Sequence, residues 1–293
     1  MALNLHLLRI FTTVVEQQGF SRAATALYIS QPAVSKSVQE LENQLGVILI
    51  DRSQRRLMLT EAGRILFEHA QRLFAVERAA EVALEQLHGL ERGHLSIGAS
   101  QTIGTYLLPP LLALFHQRYP GVQLSLEIEN TQRVIDNLRT KPLDLAFVEG
   151  PVSDHDLVVS TWRTDRLVVI APPNHPLSAQ RVPLEQVTRY PYVQRESGSG
   201  TRNIVEQALH ERGLEVNVAL ELGSNQAVKQ AVIAGLGISI VSEATLDLEQ
   251  NAGTLAVIEP YDFYLSRPLS QVTIQDRPES RALLAFRDLS LQS

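Results

Sequence analysis

The chain has 293 residues, 44% of them hydrophobic and 20% charged, enough for a sizeable core and for two or three domains of usual size. It contains no cysteine and no run of about 18 apolar residues, which excludes disulfides and thiolate metal sites and argues against a membrane span. The net charge of −6 is unevenly placed. Residues 1–60 hold Arg9, Arg22, Lys36, Arg52, Arg55 and Arg56 against Glu16, Glu40, Glu42 and Asp51, so a head of +2 precedes a body of −8. That asymmetry suits a DNA-binding module joined to something else. The N-terminus lacks the basic start and small-residue cleavage site of a secretion signal, which points to the cytoplasm.

In chain order, Leu5, Leu8, Phe11, Val14 and Val15 recur at helical spacing and predict an amphipathic helix ending near Gly19. Residues 20–45 read as two short helices joined by a tight turn. In the first, Ala23, Ala24, Ala26 and Leu27 form a compact apolar helix behind a Ser21 cap. The second starts with Ser30 as cap and Pro32 in the first turn, where its missing N–H costs little. On that helix Val34, Val38, Leu41 and Leu45 make one buried stripe. Gln31, Ala33, Ser35, Lys36 and Gln39 fall largely off it, a small, amide-bearing and cationic surface that suits a DNA major groove. Ile48 and Ile50, then Leu57 and Leu59, alternate on either side of Arg52-Ser53-Gln54-Arg55-Arg56. They predict a hairpin wing whose arginines hold phosphates or enter the minor groove.

Thr60-Glu61 opens a helical pattern broken only near Gly89, about 27 residues spanning roughly 40 Å. Ile65, Leu66, Leu73, Phe74, Val76, Ala80, Leu84 and Leu87 give it more apolar surface than a lone helix can bury. The simplest partner is the same helix of a second subunit; the alternative is packing against this chain's own domains.

After Gly93 strands and helices alternate. Strands are predicted at 94–100, 122–129 and 144–150 with helices at 104–118 and 131–140, followed by two strands in LVVSTWR and DRLVVIAP. Further units follow: strand 192–195 with helix 202–212, VALELGS with helix 225–235, and GISIVS with helix 243–250. TLAVIE, LSQVTIQ and helix 279–290 end the chain. The alternation implies mainly parallel sheets, in two runs on either side of about residue 163 with a cleft between them.

The chain resembles the LysR-type transcriptional regulators over its whole length. The resemblance is carried by FSRAATALYISQPAVSKSVQELENQLGVILIDR and RRLMLTEAGR, supported by LLPPLLALFHQRYPGV and the HPL at 175–177. It implies an α/β protein with an N-terminal winged helix-turn-helix (1–60), a dimerising linker helix (61–92) and a two-lobed, periplasmic-binding-protein-like effector domain (93–293). The chain would cross twice between lobes, giving lobe I at 94–163 and 267–293 and lobe II at 164–266. It also implies homodimers or homotetramers on double-stranded promoter DNA, with RNA polymerase a candidate further partner. The family's base- and phosphate-contacting sites fall on Gln31, Pro32, Ser35, Lys36, Arg52, Arg55 and Arg56. Lys36 stands where arginine is more usual; lacking the bidentate fork, it favours a phosphate over a guanine contact. Ile50 stands where phenylalanine is common.

Three strand-to-helix junctions mark a ligand cleft, because ligands bind outside the carboxyl ends of strands in open α/β sheets. They are Gly98 to Thr102, including Ser100 and Gln101; Ser197 to Arg202, including Gly198, Ser199, Gly200 and Thr201; and Gly223 to Gln226, including Asn225. Hydroxyls, glycine-freed N–H groups and helix starts there offer donors to a compact anion. Glu149, ending the third strand, would pair with Arg202, select a protonated or hydroxylated ligand, or lie outside. These motifs contain no second cation. The GSGTR and FVEG segments also resemble regulators of sulfite reductase and Calvin-cycle operons, which implies a sulfur oxyanion or a phosphorylated metabolite as effector.

Other functions fit less well. GSGTR lacks the Lys-Ser/Thr pair of a phosphate loop, and Asn203 breaks a dinucleotide fingerprint. No G-x-S-x-G elbow occurs, and the eight histidines lack paired ligand spacing, so no catalytic residue, metal or cofactor is expected. A two-lobed solute-binding protein is the remaining alternative; the N-terminal module and the missing signal argue against it.

Overall fold

The computed structural model describes residues 3–51, 57–85, 93–152 and 154–292, in two compact units divided between Glu81 and Val82. In the first unit, α1 (Leu5–Glu16) is capped by Asn4, whose side chain accepts from the N–H groups of His6 and Leu7. Helix α2 (Phe20–Leu27) buries Ala23 and Ala24 but leaves Ala26 exposed. The expected Ser21 cap is not made. The helix starts two residues earlier, with Gly19 at the cap position and no side-chain bond there. Helix α3 (Gln31–Leu45) follows expectation: Ser30 accepts from Ala33 N–H at 3.4 Å, and Val34, Val38 and Leu41 are buried. Gly46 ends it at φ 68°, a conformation glycine adopts without steric cost.

Strands β1 (Ile50–Asp51) and β2 (Met58–Leu59) pair antiparallel as the base of the wing, with Ile50 opposite Leu59. Leu49 and Ile50 are buried and Ile48 is exposed, so the alternation expected from Ile48 fails. The reason lies in α3, where Glu42 Oε1 accepts the N–H groups of Leu49 (2.9 Å) and Ile50 (3.3 Å) and draws the chain inward before the strand begins. The wing tip, with Arg52, Arg55 and Arg56, lies outside the described residues.

Helix α4 (Glu61–Glu85) starts at Thr60, whose hydroxyl accepts from Gly63 N–H at 3.0 Å. Part of its apolar surface is consumed within its own unit, as in the alternative to packing on a second subunit. Ala70 is buried, and Leu66, Phe67 and Phe74 pack on the core built by α1 to α3. Arg9 lies 4.2 Å above the Phe74 ring and ion-pairs with Glu77. Ile65 and Val76 stay exposed.

The second unit is built on a mixed sheet. Strands β3 (Gly93–Ser100), β4 (Val122–Glu129) and β5 (Leu145–Glu149) are parallel. Strands β6 (Leu157–Ala171) and β11 (Leu265–Ile274) run antiparallel to each other from Leu167–Leu265 to Leu157–Ile274. Among the described residues the order is β10-β6-β11-β5-β3-β4, with β9 (Ser239–Ser242) and β10 (Ala256–Ile258) both antiparallel to β6. The expectation of mainly parallel sheets therefore fails at the strands that cross between lobes. Two crossings in opposite directions, lying side by side, must pair antiparallel. LVVSTWR and DRLVVIAP also form one continuous strand. Register shifts between Leu269 and Ser270, opposite Trp162, which packs edge-on against Phe147 and donates to the Ser290 carbonyl at 2.8 Å. That irregularity bends the strand without ending it.

Helices α5 (Leu108–Arg118), α6 (Thr131–Thr140) and α11 (Arg281–Gln292) cover the first lobe, whose core joins Leu95, Ile97, Phe115, Phe147 and Phe286. In the second lobe, β7 (Pro191–Arg195) and β8 (Asn217–Leu222) pair in parallel, and Tyr192 bridges to Ile238 just before β9. Alternate residues of β6 enter different clusters: Leu167, Val169 and Ala171 join Tyr192, Val205 and Leu209, while Val168 and Ile170 join Val193, Val228 and Val232. A continuous apolar run is what a strand buried on both faces needs. Helices α8 (Gly200–His210) and α9 (Asn225–Ile233) supply the covering layers. Short helices α7 (Leu184–Val187) and α10 (Asp247–Ala252) complete the lobe, and Leu246 breaks the helix expected over 243–250 into a 3-10 turn and α10.

Candidate functional site

In the first unit α3 presents Gln31, Pro32, Lys36 and Gln39 exposed and Ser35 half-buried, on the face opposite Val34, Val38 and Leu41. Ser30 fixes the first turn, and Glu42 ties the helix to the wing. The surface is a helix face bearing two amides, a small hydroxyl and a cation, groups able to donate to and accept from base edges.

The cleft of the second unit is made where its three junctions meet. Thr102 Oγ1 accepts from Asn225 Nδ2 at 3.0 Å, and Gln101 spans the gap, donating to Gly223 O (3.0 Å) and accepting from Asn225 N–H (3.3 Å). Thr102 is followed by a π-helical turn over Ile103–Leu107 before α5, a local widening frequent at functional sites. On the facing lobe Ser199 caps α8, and Gly198 takes φ 86°, which suits glycine. Gly200 is required by proximity: a Cβ there would lie 2.1 Å from Glu149 O. Thr131 donates to that same carbonyl at 3.1 Å, so the end of β5 and the start of α8 are pressed together.

A fully buried Arg267 stands at the centre. Its Nε donates to Asp165 Oδ2 (2.8 Å), its Nη1 to Thr201 Oγ1 (2.8 Å) and its Nη2 to Thr102 Oγ1 (3.4 Å). Nη2 also lies 3.2 Å from Glu149 Oε2. Arg267 and Asp165 are cross-strand partners on β11 and β6, so the two interlobe strands carry a cation that touches both lobes. Glu149, 2% exposed, accepts from Thr201 at 3.2 Å. It therefore lies inside the cluster and pairs with Arg267, not with Arg202. The Arg202 guanidinium turns away to Glu206 (2.8 Å) and Glu221 (2.7 Å). Ser100 Oγ is buried with no hydrogen-bond partner. Buried Arg195 bonds Asn225 and Glu196; burial alone would raise the Glu196 carboxyl, but the guanidinium 2.7 Å away holds it below the ordinary carboxylate range. Behind Thr201 and Arg195 a cavity of about 10 Å³ has room for one water and for no metabolite.

Two family models match: "Bacterial regulatory helix-turn-helix protein, lysR family" over residues 5–64 and "LysR substrate binding domain" over residues 88–293. The chain belongs to the LysR family. It is 38% identical over 286 residues to a probable RuBisCO transcriptional regulator of Cyanidioschyzon merolae, covering 95% of this chain and 94% of that one. The regulatory domain of CcmR from Synechocystis, solved in complex with 2-PG, superposes with a TM-score of 0.65 at 32% identity, covering 69% of this chain and 97% of that chain. A full-length OxyR variant from Pseudomonas aeruginosa superposes with a TM-score of 0.73 at 26% identity over 99% and 95% of the two chains. This LysR protein is accordingly a ligand-responsive, DNA-binding transcriptional regulator with an N-terminal helix-turn-helix and a two-lobed α/β ligand domain. Among its described residues no helix is long and apolar enough to cross a membrane.

Sequence reading found the hydroxyls and glycines of the LysR cleft but missed its cation. Arg267 was invisible because it sits mid-strand in LSRPLSQ, away from any junction. The available signal was a charged residue inside each of two apolar strand patterns, Asp165 in β6 and Arg267 in β11, at the place where the chain was expected to cross.

Proposed function

We propose that this LysR regulator reads a promoter half-site with Gln31, Pro32, Ser35 and Lys36, and holds flanking phosphates with Arg52, Arg55 and Arg56. Two or four copies would set the spacing of the paired heads. In this reading residues 1–60 bind DNA, 61–92 link and dimerise, and 93–293 sense the effector, with lobes exchanging near residues 163 and 267. The effector is a compact anion held among Ser100, Gln101, Thr102, Gly198, Ser199, Gly200, Thr201, Arg202 at the helix start, and Asn225. The observation that carries this is the meeting of two strand-to-helix junctions, at Thr102 and Thr201, on one buried guanidinium, Arg267, with the third joined to them by the Asn225–Thr102 hydrogen bond, beside an unpartnered Ser100 hydroxyl. The 2-PG held by the similar CcmR domain supports a small phosphorylated acid over a larger ligand.

The ligand acts as a switch by binding one arrangement of the subunits better than another. Thermal-shift titration with sulfite, sulfate, phosphate and phosphorylated acids tests the sensing half: a true effector raises the melting temperature in graded fashion. Footprints taken with and without that effector test the coupling, and an unchanged footprint with a bound ligand overturns it. Arg55→Ala and Arg56→Ala should weaken binding to all sequences and lower the salt slope by about one per lost phosphate contact.

A further inference from the structure

Glu149 is the least expected group in an anion site. Its Oε1 accepts from Thr201, but Oε2, equally buried, has no hydrogen bond; Arg267 Nη2 lies 3.2 Å away without pointing a proton along the line. Arg267 cannot neutralise this carboxylate alone, because its Nε is already committed to Asp165 at 2.8 Å. The other buried guanidinium, Arg195, is spent on Glu196 and Asn225. One cation thus stands between two buried carboxylates, in the place where helix starts and the free Ser100 hydroxyl offer donors. A buried acceptor without a donor is costly, and the ligand is the natural source of one.

An ionised carboxylate only accepts hydrogen bonds, and so does a fully ionised oxyanion. Set side by side they repel, unless the oxyanion brings a proton. A phosphomonoester brings one readily, since its second ionisation lies near pH 6. Sulfate and sulfonates have no proton to offer near neutrality. We infer that Glu149 Oε2 accepts a hydrogen bond from a singly protonated phosphate group, so that the cleft selects phosphomonoesters and phosphate against sulfate and sulfonates. This rests on the cleft being the effector site and names the class of effector that it takes.

The test is calorimetric titration of the full chain with two isosteric pairs, inorganic phosphate against sulfate and 2-phosphoglycolate against the O-sulfate ester of glycolate, in wild type and Glu149→Gln. Wild type should prefer the phosphorus member of each pair by about tenfold or more, the scale of one hydrogen bond to a charged group made or lost. In Glu149→Gln the amide can donate, so the preference should fall to within about threefold as the sulfur ligands gain. Equal wild-type affinities overturn the inference without any variant, which keeps it testable should Glu149→Gln fold poorly. A preference that persists unchanged in a folded Glu149→Gln overturns it too. In both cases the anion-binding reading of the cleft stands, whereas binding of none of the four ligands to either protein removes that reading and this inference together.

Discussion

The two units solve opposite problems with the side chains proposed to carry function. In the first, Gln31, Pro32 and Lys36 are exposed and consecutive turns of one helix set them, while a remote part of the unit supplies only the apolar backing of α1 and α2. In the second, Glu149, Asp165, Thr201 and Arg267 are buried and come from four elements far apart in the chain. An exposed reading surface tolerates loss of a side chain with little effect on folding. A buried charge cluster does not, because removing one member strands the others without water. Site and stability are therefore separable in the first unit and joined in the second.

The largest expected effect breaks that join. Arg267→Ala leaves Glu149 and Asp165 buried without the cation they share and should cost about 3–5 kcal/mol. Calorimetry of the full chain should show the transition of residues 82–293 lowered by about 10 °C and that of the first unit unmoved. Combining Arg267→Met with Glu149→Gln and Asp165→Asn should recover much of the loss, since removing a whole buried network costs far less than breaking it. A single-site loss below about 1 kcal/mol would mean that water already reaches the cluster.

The same contrast governs what the sequence reveals. The helix-turn-helix was legible because its signals are local: apolar spacing on α3, the Ser30 cap and Pro32 in the first turn all lie within a few residues of the side chains they orient. The cleft was half legible. Ser100, Thr102, Ser199 and Thr201 sit at strand ends beside helix starts, a position that can be counted off along the chain. Arg267 and Asp165 meet only because two distant strands pair in one register, and a single sequence carries no direct record of register. The mixed sheet was missed for the same reason, since alternation of strands and helices fixes neither the partner nor the direction of a crossing strand.

Alkaline pH should also separate the units. The Tyr192 phenol, 4% exposed beneath the cleft, is pushed from 10.0 up to about 12 by burial. The unfolded chain then loses its proton first, so stability present below pH 10 is lost as pH rises toward 12, by about 2–3 kcal/mol at the upper end. Tyr28, 95% exposed in the turn of the first unit, carries no such burial. Denaturant midpoints at pH 9 and 11.5 should fall steeply for the second unit of wild type and less for Tyr192→Phe; equal slopes would exclude this phenol as the cause.

In the first unit the sensitive point is backbone contact. A Cβ on Gly63, at the start of α4, would meet the Leu49 carbonyl at 2.1 Å, and backbone cannot swing aside as a side chain can. Gly63→Ala should cost about 1–3 kcal/mol. It should lower DNA affinity, because Leu49 opens the wing, while leaving effector binding intact when read by titration with the same ligand. Undiminished DNA binding would show that the wing adjusts independently of α4.

The smallest effect sharpens the comparison most. Ser30→Ala removes the cap from Ala33 N–H and should cost about 1 kcal/mol of stability in the first unit. Some DNA affinity should go with it, as the turn bearing Gln31 and Pro32 frays. Ser30→Asp keeps a capping acceptor and favours the positive end of the helix, so stability should hold or rise slightly. In the proposed DNA-bound arrangement the same charge meets the phosphates, so affinity should fall with a shallower dependence on salt than Ser30→Ala shows, because salt screens the added repulsion. Stability and DNA binding would then move in opposite directions at one residue. That outcome is available only where a functional surface is exposed, and the buried cleft around Arg267 offers no equivalent position. If Ser30→Asp instead binds as well as wild type, the start of α3 stands away from the phosphates and the reading surface must be sought further along the helix, toward Lys36 and Gln39.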